Sequence, residues 1–323
     1  MKKTILATCL IALPAHAQEL VVYTYDSFTA EWGPGPQIEA AFEAECGCEL
    51  TFVGVGDGAA MVSRLRLEGE GSDADVVLGM DTNLIAAAKE SGLFAPAPSD
   101  LAAPDLPIEW TDDTFVPFDW SYFAFVYETE ALDAVPASFA ELAESDISIV
   151  IQDPRSSTPG LGLMMWVDTL FGEEAPAMWE GLSDNIVTVT SSWSEAYNLF
   201  LEGEADMALS YTTSPAYHLI AEEDAGKAAA IFEDGHYMQV EVAAALAGSD
   251  QPELAAEFLR FISTDAFQSI LPVTQWMYPA YETELPEGYD SLAVPETALL
   301  LDPAEAAERR DAALARWQDA LSR

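Results

Sequence analysis

Basic residues are scarce in this chain. Its 323 residues include 12 Lys plus Arg against 56 Asp plus Glu, and Lys2 and Lys3 stand at the very start. Every acid lies from Glu19 onward, so the stretch after residue 17 sets 56 acids against 10 bases. Such a surface repels phosphate backbones and anionic headgroups, which excludes nucleic acid and membrane surfaces as partners. The acidity reads as a solubility adaptation. Histidine is as rare, with His16, His218 and His236, and cysteine is confined to Cys9, Cys46 and Cys48. Gly-x-Ser-x-Gly, His-Glu-x-x-His and Gly-x-x-x-x-Gly-Lys-Ser/Thr are all missing. Their absence removes the usual hydrolase, zinc-peptidase and nucleotide-hydrolysing signatures. No catalytic residue, metal or cofactor is assigned, and an enzyme is not expected. Nor does any run reach the ~20 apolar residues of a membrane-spanning helix. Hydrophobic residues, by contrast, make up 50% of the chain and aromatics 11%. That is material for large cores in more than one compact unit.

The first residues read as a secretory signal peptide: Lys2 and Lys3, an apolar stretch from Ile5 to Leu13, then Ala15-His16-Ala17. Cleavage is expected after about Ala17, giving an exported, periplasmic protein. Export permits disulfides. Cys46 and Cys48 are separated only by Gly47. A small structural staple is favoured over redox chemistry, with two free thiols or a metal-ligand pair also open.

Beyond the leader the chain alternates strand and helix. Residues 20–25 and 49–54 and Asp75 to Gly79 have the β-branched, apolar character of buried strands. Between them a helix opened by Pro34 and Pro36 stops at Gly47, and another follows Asp57-Gly58. A third helix, capped by Asp81 or Thr82, ends at Gly92. The rhythm changes near residue 116 into a long aromatic strand over 122–127. Strands at 149–151, 187–189 and 207–209 then alternate with helices after Thr158-Pro159, from Ser194 and after Ser214-Pro215. A strand over 240–246, a helix from Pro252 and a charged Ala-rich helix from Asp302 complete the reading. This is an α/β chain of mainly parallel sheets flanked by helices. Ligands of such sheets bind where strands exit into helices.

Those exits carry a common chemistry. Asp57-Gly58, Ser156 to Gly160, Trp193-Ser194-Glu195 and Tyr211 to Pro215 each put capping groups at a helix start directly after a strand. Helix starts of this kind hold anions. Aromatics gather at the same loops: Tyr25, Trp32, Trp193, Tyr211, Tyr217 and Trp276. Trp193 stands among Ser191, Ser192 and Ser194, with no apolar neighbour to share a core face. Aromatic walls suit a flat or cationic ring, worth roughly 0.5–2 kcal/mol per cation–π contact. Asp26, Asp57 and Asp119 are in reach as counter-charges.

These stretches resemble a known family. Residues 22–28 (Val-Tyr-Thr-Tyr-Asp-Ser-Phe), 32–36 (Trp-Gly-Pro-Gly-Pro), 74–79 (Ala-Asp-Val-Val-Leu-Gly), 152–155 (Gln-Asp-Pro-Arg), 193–197 (Trp-Ser-Glu-Ala-Tyr), 209–218 (Leu-Ser-Tyr-Thr-Thr-Ser-Pro-Ala-Tyr-His) and 276–279 (Trp-Met-Tyr-Pro) are similar to the thiamine-binding periplasmic proteins of ABC importers. The Cys46-Gly47-Cys48 spacing resembles that family as well. The resemblance implies a two-lobed type II periplasmic binding fold with a strand hinge. It implies lobes over 18–116 plus 242–282 and over 117–241 plus 283–323, after a leader at 1–17. It further implies that thiamine, thiamine monophosphate and thiamine diphosphate are captured between the lobes by a monomer and delivered to an inner-membrane ABC permease. Carried onto this chain, the ligand-binding residues are Asp57, Gly58, Ser157, Thr158, Trp193, Tyr211, Thr212, Thr213 and Ser214, with Tyr25, Trp32, Tyr217 and Trp276 as cleft-wall aromatics.

Two alternatives share the fold. A thiaminase-like enzyme needs a cleft cysteine, and the only thiols after the leader lie at the wrong end of their strand. A ferric-ion binder needs tyrosinates and a histidine, for which Tyr211, Tyr217 and His218 are the nearest match.

Overall fold

The computed structural model describes residues 18–322; the signal-peptide reading at 1–17 lies outside them. The first strand, β1 (Glu19–Thr24), leads through a short turn α1 (Asp26–Thr29) to α2 (Gly35–Cys46). Pro36 opens that helix, Ile38 and Phe42 bury one face, and Gly47 closes it at φ 66°. Only glycine takes that left-handed position at little cost. Cys46 and Cys48 are joined as a disulfide around this turn, the staple among the options left open by the sequence. Then come β2 (Glu49–Gly54), α3 (Gly58–Glu68), β3 (Val76–Asp81) and α4 (Ile85–Glu90). Asp81 is the last residue of β3, and α4 starts only after Leu84, so neither Asp81 nor Thr82 is the expected helix cap. The Asp81 carboxylate instead accepts from the Asn83 backbone and amide, which turns the chain before the helix begins.

The long strand β4 (Val116–Glu128) follows, then α5 (Phe139–Ala143), β5 (Ile149–Gln152), α6 (Thr158–Phe171), α7 (Ala175–Leu182), β6 (Ile186–Thr190), α8 (Trp193–Leu201) and β7 (Met207–Tyr211). The helix expected after Ser214-Pro215 begins at Pro215 and passes at once into a π-turn, Tyr217–Ala221, before the short β8 (Lys227–Ala229). β9 (His236–Ala245) begins four residues earlier than the apolar run suggests, because polar His236 and Gln239 are buried with it. The chain ends with α9 (Pro252–Ile262), α10 (Asp265–Gln268), α11 (Leu271–Thr274), β10 (Tyr278–Pro279), β11 (Ala298–Leu299) and α12 (Pro303–Leu321).

The sheet runs in the order β2-β1-β3-β9-β4-β7-β5-β6. At one end β1 pairs in parallel with β2 and β3, and at the other β5 pairs in parallel with β6 and β7. The expected parallel arrangement therefore holds at both ends. The middle is antiparallel, since β9 pairs with β3 and β4, and β4 with β7. β4 serves both ends: residues 116–122 pair with β9, and Phe123 to Tyr127 pair with β7. Leu20, Val22, Phe42 and Phe258 join one core on the β1 side, while a larger one runs from Met61 through Trp166 and Trp179 to Trp317. Each such side chain, fully buried, contributes about 1.5–3 kcal/mol. Helix α12 lies chiefly on α6 and α7, with α4 alongside. Its Arg309 and Arg316 both meet the buried Asp168 of α6.

Candidate functional site

Parallel strands at the two sheet ends send β1, β5, β6 and β7 into loops that face one another. Between them lies a cleft of about 330 Å³, within the size range of small-molecule sites. One wall comes from Tyr25, Ser27, Trp32 and Asp57, the other from Thr158, Pro159, Trp193, Tyr197, Tyr211, Ser214 and Tyr217. Ser194, Asn198 and Leu201 of α8, Glu241 of β9 and the segment Val273 to Met277 complete the lining. Among the described residues, the only acids or bases lining the cleft are Asp57 and Glu241.

Of the thirteen residues expected from the sequence, nine line this cleft: Tyr25, Trp32, Asp57, Thr158, Trp193, Tyr211, Ser214, Tyr217 and Trp276. The other four stand behind its wall. Ser157 is buried and gives its hydroxyl hydrogen to Asp57 Oδ2 at 2.7 Å. Thr212 and Thr213 are buried against Ser121 of β4, their Oγ1 atoms 3.3 and 3.0 Å from its hydroxyl. Gly58 opens α3 where a Cβ would lie 2.1 Å from Thr158 Oγ1 and 2.5 Å from the Gly79 carbonyl. Glycine is needed there for close approach, with no side chain to offer a ligand.

Asp57 ties three helix starts together. It caps α3 through the Gly58 N–H at 2.7 Å, and its Oδ2 also accepts from the Trp193 N–H at 3.3 Å. Ser157 and Trp193 begin α6 and α8, so these bonds cross the cleft. Burial pushes the Asp57 carboxyl up, against the lowering pull of the bonds from Ser157, Gly58, Trp193 and Thr158. An anion on several helix starts is in its natural place, and here a side chain fills that place.

Trp193 stacks on Tyr197, four residues on in α8, at 5.0 Å and 22°. Its Nε1 donates to Ser210 Oγ at 2.8 Å, and that oxygen lies 2.6 Å from Ser214 Oγ. Tyr211 stacks on Phe123 at 5.4 Å and gives its hydroxyl hydrogen to Gln239. Trp276 packs edge-on to Tyr217 at 5.6 Å. Its backbone sits at φ 61°, a strained conformation of the kind kept at binding sites.

The floor of the cleft is acidic. Glu241 accepts from the Tyr25 hydroxyl at 2.9 Å, and Gln275 Nε2 donates to that hydroxyl. In register beside Glu241 are Asp119 on β4 and Asp81 on β3, both buried. Burial raises the carboxyls of Asp119 and Glu241 well above the ordinary carboxylate range. Asp26, read from the sequence as a counter-charge, is instead turned to the Gly56 N–H and does not line the cleft. Sequence reasoning missed Glu241, Tyr197 and Gln275. Glu241 left one trace, a lone acid inside the apolar run 240–246.

The groups required by the two alternatives are otherwise engaged. His218 uses both ring nitrogens, Nε2 at 2.9 Å from Tyr197 Oη and Nδ1 at 2.6 Å from Glu222. Tyr211 gives its hydroxyl hydrogen to Gln239 and Tyr217 gives its own to Glu222. Among the described residues no cysteine lines the cleft, and Cys46 and Cys48 are bonded to each other.

Residues 27–269 match the model of the bacterial extracellular solute-binding protein family. The chain is 51% identical to the thiamine-binding periplasmic protein of Escherichia coli (strain K12), over the whole of both chains. A solved periplasmic thiamin binding protein superposes with a TM-score of 0.93 at 51% identity, over 98% of this chain and 100% of the other. Iron-bound HitA from Pseudomonas aeruginosa shares the fold, with a TM-score of 0.76 at 22% identity over 94% of this chain and 99% of its own.

Proposed function

The chain belongs to the bacterial extracellular solute-binding proteins, in their thiamine-binding periplasmic branch, and from that premise we propose that it captures thiamine in this cleft and delivers it to an ABC permease. One observation carries the reading: aromatic walls enclose a cleft whose only charged lining groups are acids. Thiazolium is a flat permanent cation. Indole and phenol faces hold such a ring by roughly 0.5–2 kcal/mol each where water is excluded. Ser214, Gln275 and the Trp193–Ser210 hydroxyl cluster offer partners for an aminopyrimidine. All thirteen residues carried over from the sequence belong to the proposed site, nine as its wall and Gly58, Ser157, Thr212 and Thr213 as the layer that positions it.

The same reading places the mature protein in the periplasm, cleaved after about Ala17, as a monomer. Two lobes, 18–116 with 242–282 and 117–241 with 283–323, close on the ligand, with β4 and β9 as the crossing strands. Contacts from both walls favour closure only by their differential affinity for the closed state. Small-angle scattering should therefore shrink on saturation with thiamine, and an unchanged curve would count against closure. The mono- and diphosphate extend the ligand toward the helix starts that Asp57 occupies. Asp57→Asn should then improve phosphate-ester binding relative to thiamine. Isothermal titration of the mature chain with thiamine and both esters tests the whole reading. Saturable heat with thiamine is expected, and none at millimolar concentration would refute it.

A further inference from the structure

Glu241 is a carboxyl facing a ligand cleft, with no cation to balance it. It is 4% exposed and directly opposite Asp119 across β4 and β9. Like charges placed opposite each other on neighbouring strands repel. Neither oxygen of the fully buried Asp119 has a hydrogen-bond donor. A buried carboxylate with both oxygens unpartnered is costly, and a proton held between the two acids supplies the donor that is lacking. The other ionisable groups around the pair do not relieve it. Asp81 of β3 is in register with Glu241 on its other side. Asp57 acts on Glu241 from the start of α3, Tyr25 and Tyr211 act on it from just after β1 and the end of β7, and Tyr289 acts on Asp119 from the turn after β10. All are acids or phenols, and among the described residues no Lys, Arg or His lines the cleft.

We propose that Glu241, backed by Asp119, is the counter-charge by which this cleft selects a positively charged ring over a neutral ring of the same shape. This rests on the thiamine reading of the site. In the empty cleft, where nothing positive faces the floor, both buried carboxyls hold their protons. As the cation enters, Glu241 gives its proton to the solvent buffer while Asp119 keeps its own and donates it to Glu241, so one positive charge leaves the floor for each that arrives. Nothing is oxidised and no covalent bond to the ligand forms. Asp119 is a positioning residue: its proton tunes Glu241 and it does not line the cleft. Affinity for the cation then rises with pH as the competing proton is lost, whereas a neutral ring gains nothing.

The test is titration calorimetry of the mature chain with two probes, thiamine and its isostere carrying a neutral thiophene in place of thiazolium. Wild type should prefer thiamine by about tenfold or more. In buffers of different ionisation heat, thiamine should release on the order of one proton per site near neutral pH. Glu241→Gln, which keeps the shape, should shrink the preference to within about threefold and abolish the release. Asp119→Asn should act in the opposite direction, tightening thiamine several-fold, roughly threefold or more, because without the neighbouring acid Glu241 holds its competing proton less tightly. A merely structural role predicts losses from both variants. Equal binding of the two probes by wild type, a preference unchanged in Glu241→Gln, or binding heat independent of buffer would each overturn the proposal and leave the ligand assignment standing. Binding of neither probe would overturn both.

Discussion

Asp57→Ala tests whether the cleft works by joining its walls. Two of the bonds that Asp57 accepts cross the cleft, from Ser157 Oγ at 2.7 Å and from the Trp193 N–H at 3.3 Å. Hydrogen bonds to an ionised acceptor contribute about 1.5–3 kcal/mol each, the longer one at the low end, so the pair amounts to about 3 kcal/mol. The carboxylate also suffers from burial, as its raised proton affinity records, and deleting it returns about 1 kcal/mol. The net loss, about 2 kcal/mol, corresponds to roughly 30-fold weaker binding. Stability without ligand should fall far less, by about 1 kcal/mol for the lost cap of α3. Calorimetry for affinity and thermal unfolding of the empty protein separate the two. Since Asp57 also lines the cleft, Ser157→Ala is the sharper companion. Ser157 is buried, does not line the cleft, and reaches it only through Asp57. It should weaken thiamine about tenfold, close to 1.5 kcal/mol. If Ser157→Ala left the dissociation constant within experimental error of wild type, the cross-cleft bonds would be no part of binding.

Other expectations follow from single side chains. Thiamine should quench tryptophan fluorescence saturably, and Trp193→Ala, which removes the stack on Tyr197 and the bond to Ser210, should cost about 2–3 kcal/mol of affinity; an unaltered titration would dismiss Trp193 as a contact. Burial holds the Asp81 carboxyl up at about 7, so its proton binds more tightly in the folded than in the unfolded chain. That stabilisation is complete below the unfolded value and is lost as pH rises through about 7. Asp81→Asn should therefore gain roughly 2–3 kcal/mol on wild type between about pH 5 and about pH 8 in denaturant unfolding, and a pH-independent difference would refute the reasoning. Gly162→Ala would put a Cβ 2.0 Å from the Phe123 ring, and should destabilise the fold by about 1–3 kcal/mol with little change in affinity.

Helix boundaries were legible where proline and glycine mark them, as at Pro36 and Gly47 around α2 and at Pro252 opening α9. The short turns α1 and α5 were not, because four or five residues carry too little periodicity to register. The π-turn after Pro215 reads as a helix start in sequence, since a Pro after a hydroxyl residue announces the first turn but not its length. Aromatics at strand exits pointed to a cleft, and all six of them line it, with Asp57, Thr158 and Ser214 from the capping groups. Ser157, Thr212 and Thr213 carry the same chemistry as the lining residues, and which of the two layers they occupy depends on packing across distant strands.

Composition, the alternation of strands with helices, and the capping groups at the strand exits are local properties. The chain alone therefore determined the α/β class and the loops from which a site would be built. The juxtaposition of Glu241, Asp119 and Asp81 is different, for Glu241 lies more than a hundred positions from either aspartate, and the three meet only because β9 inserts antiparallel between β3 and β4. Register, which no local pattern encodes, put three acids side by side in a place without a base, and burial there, not their number in the sequence, gives them their chemistry.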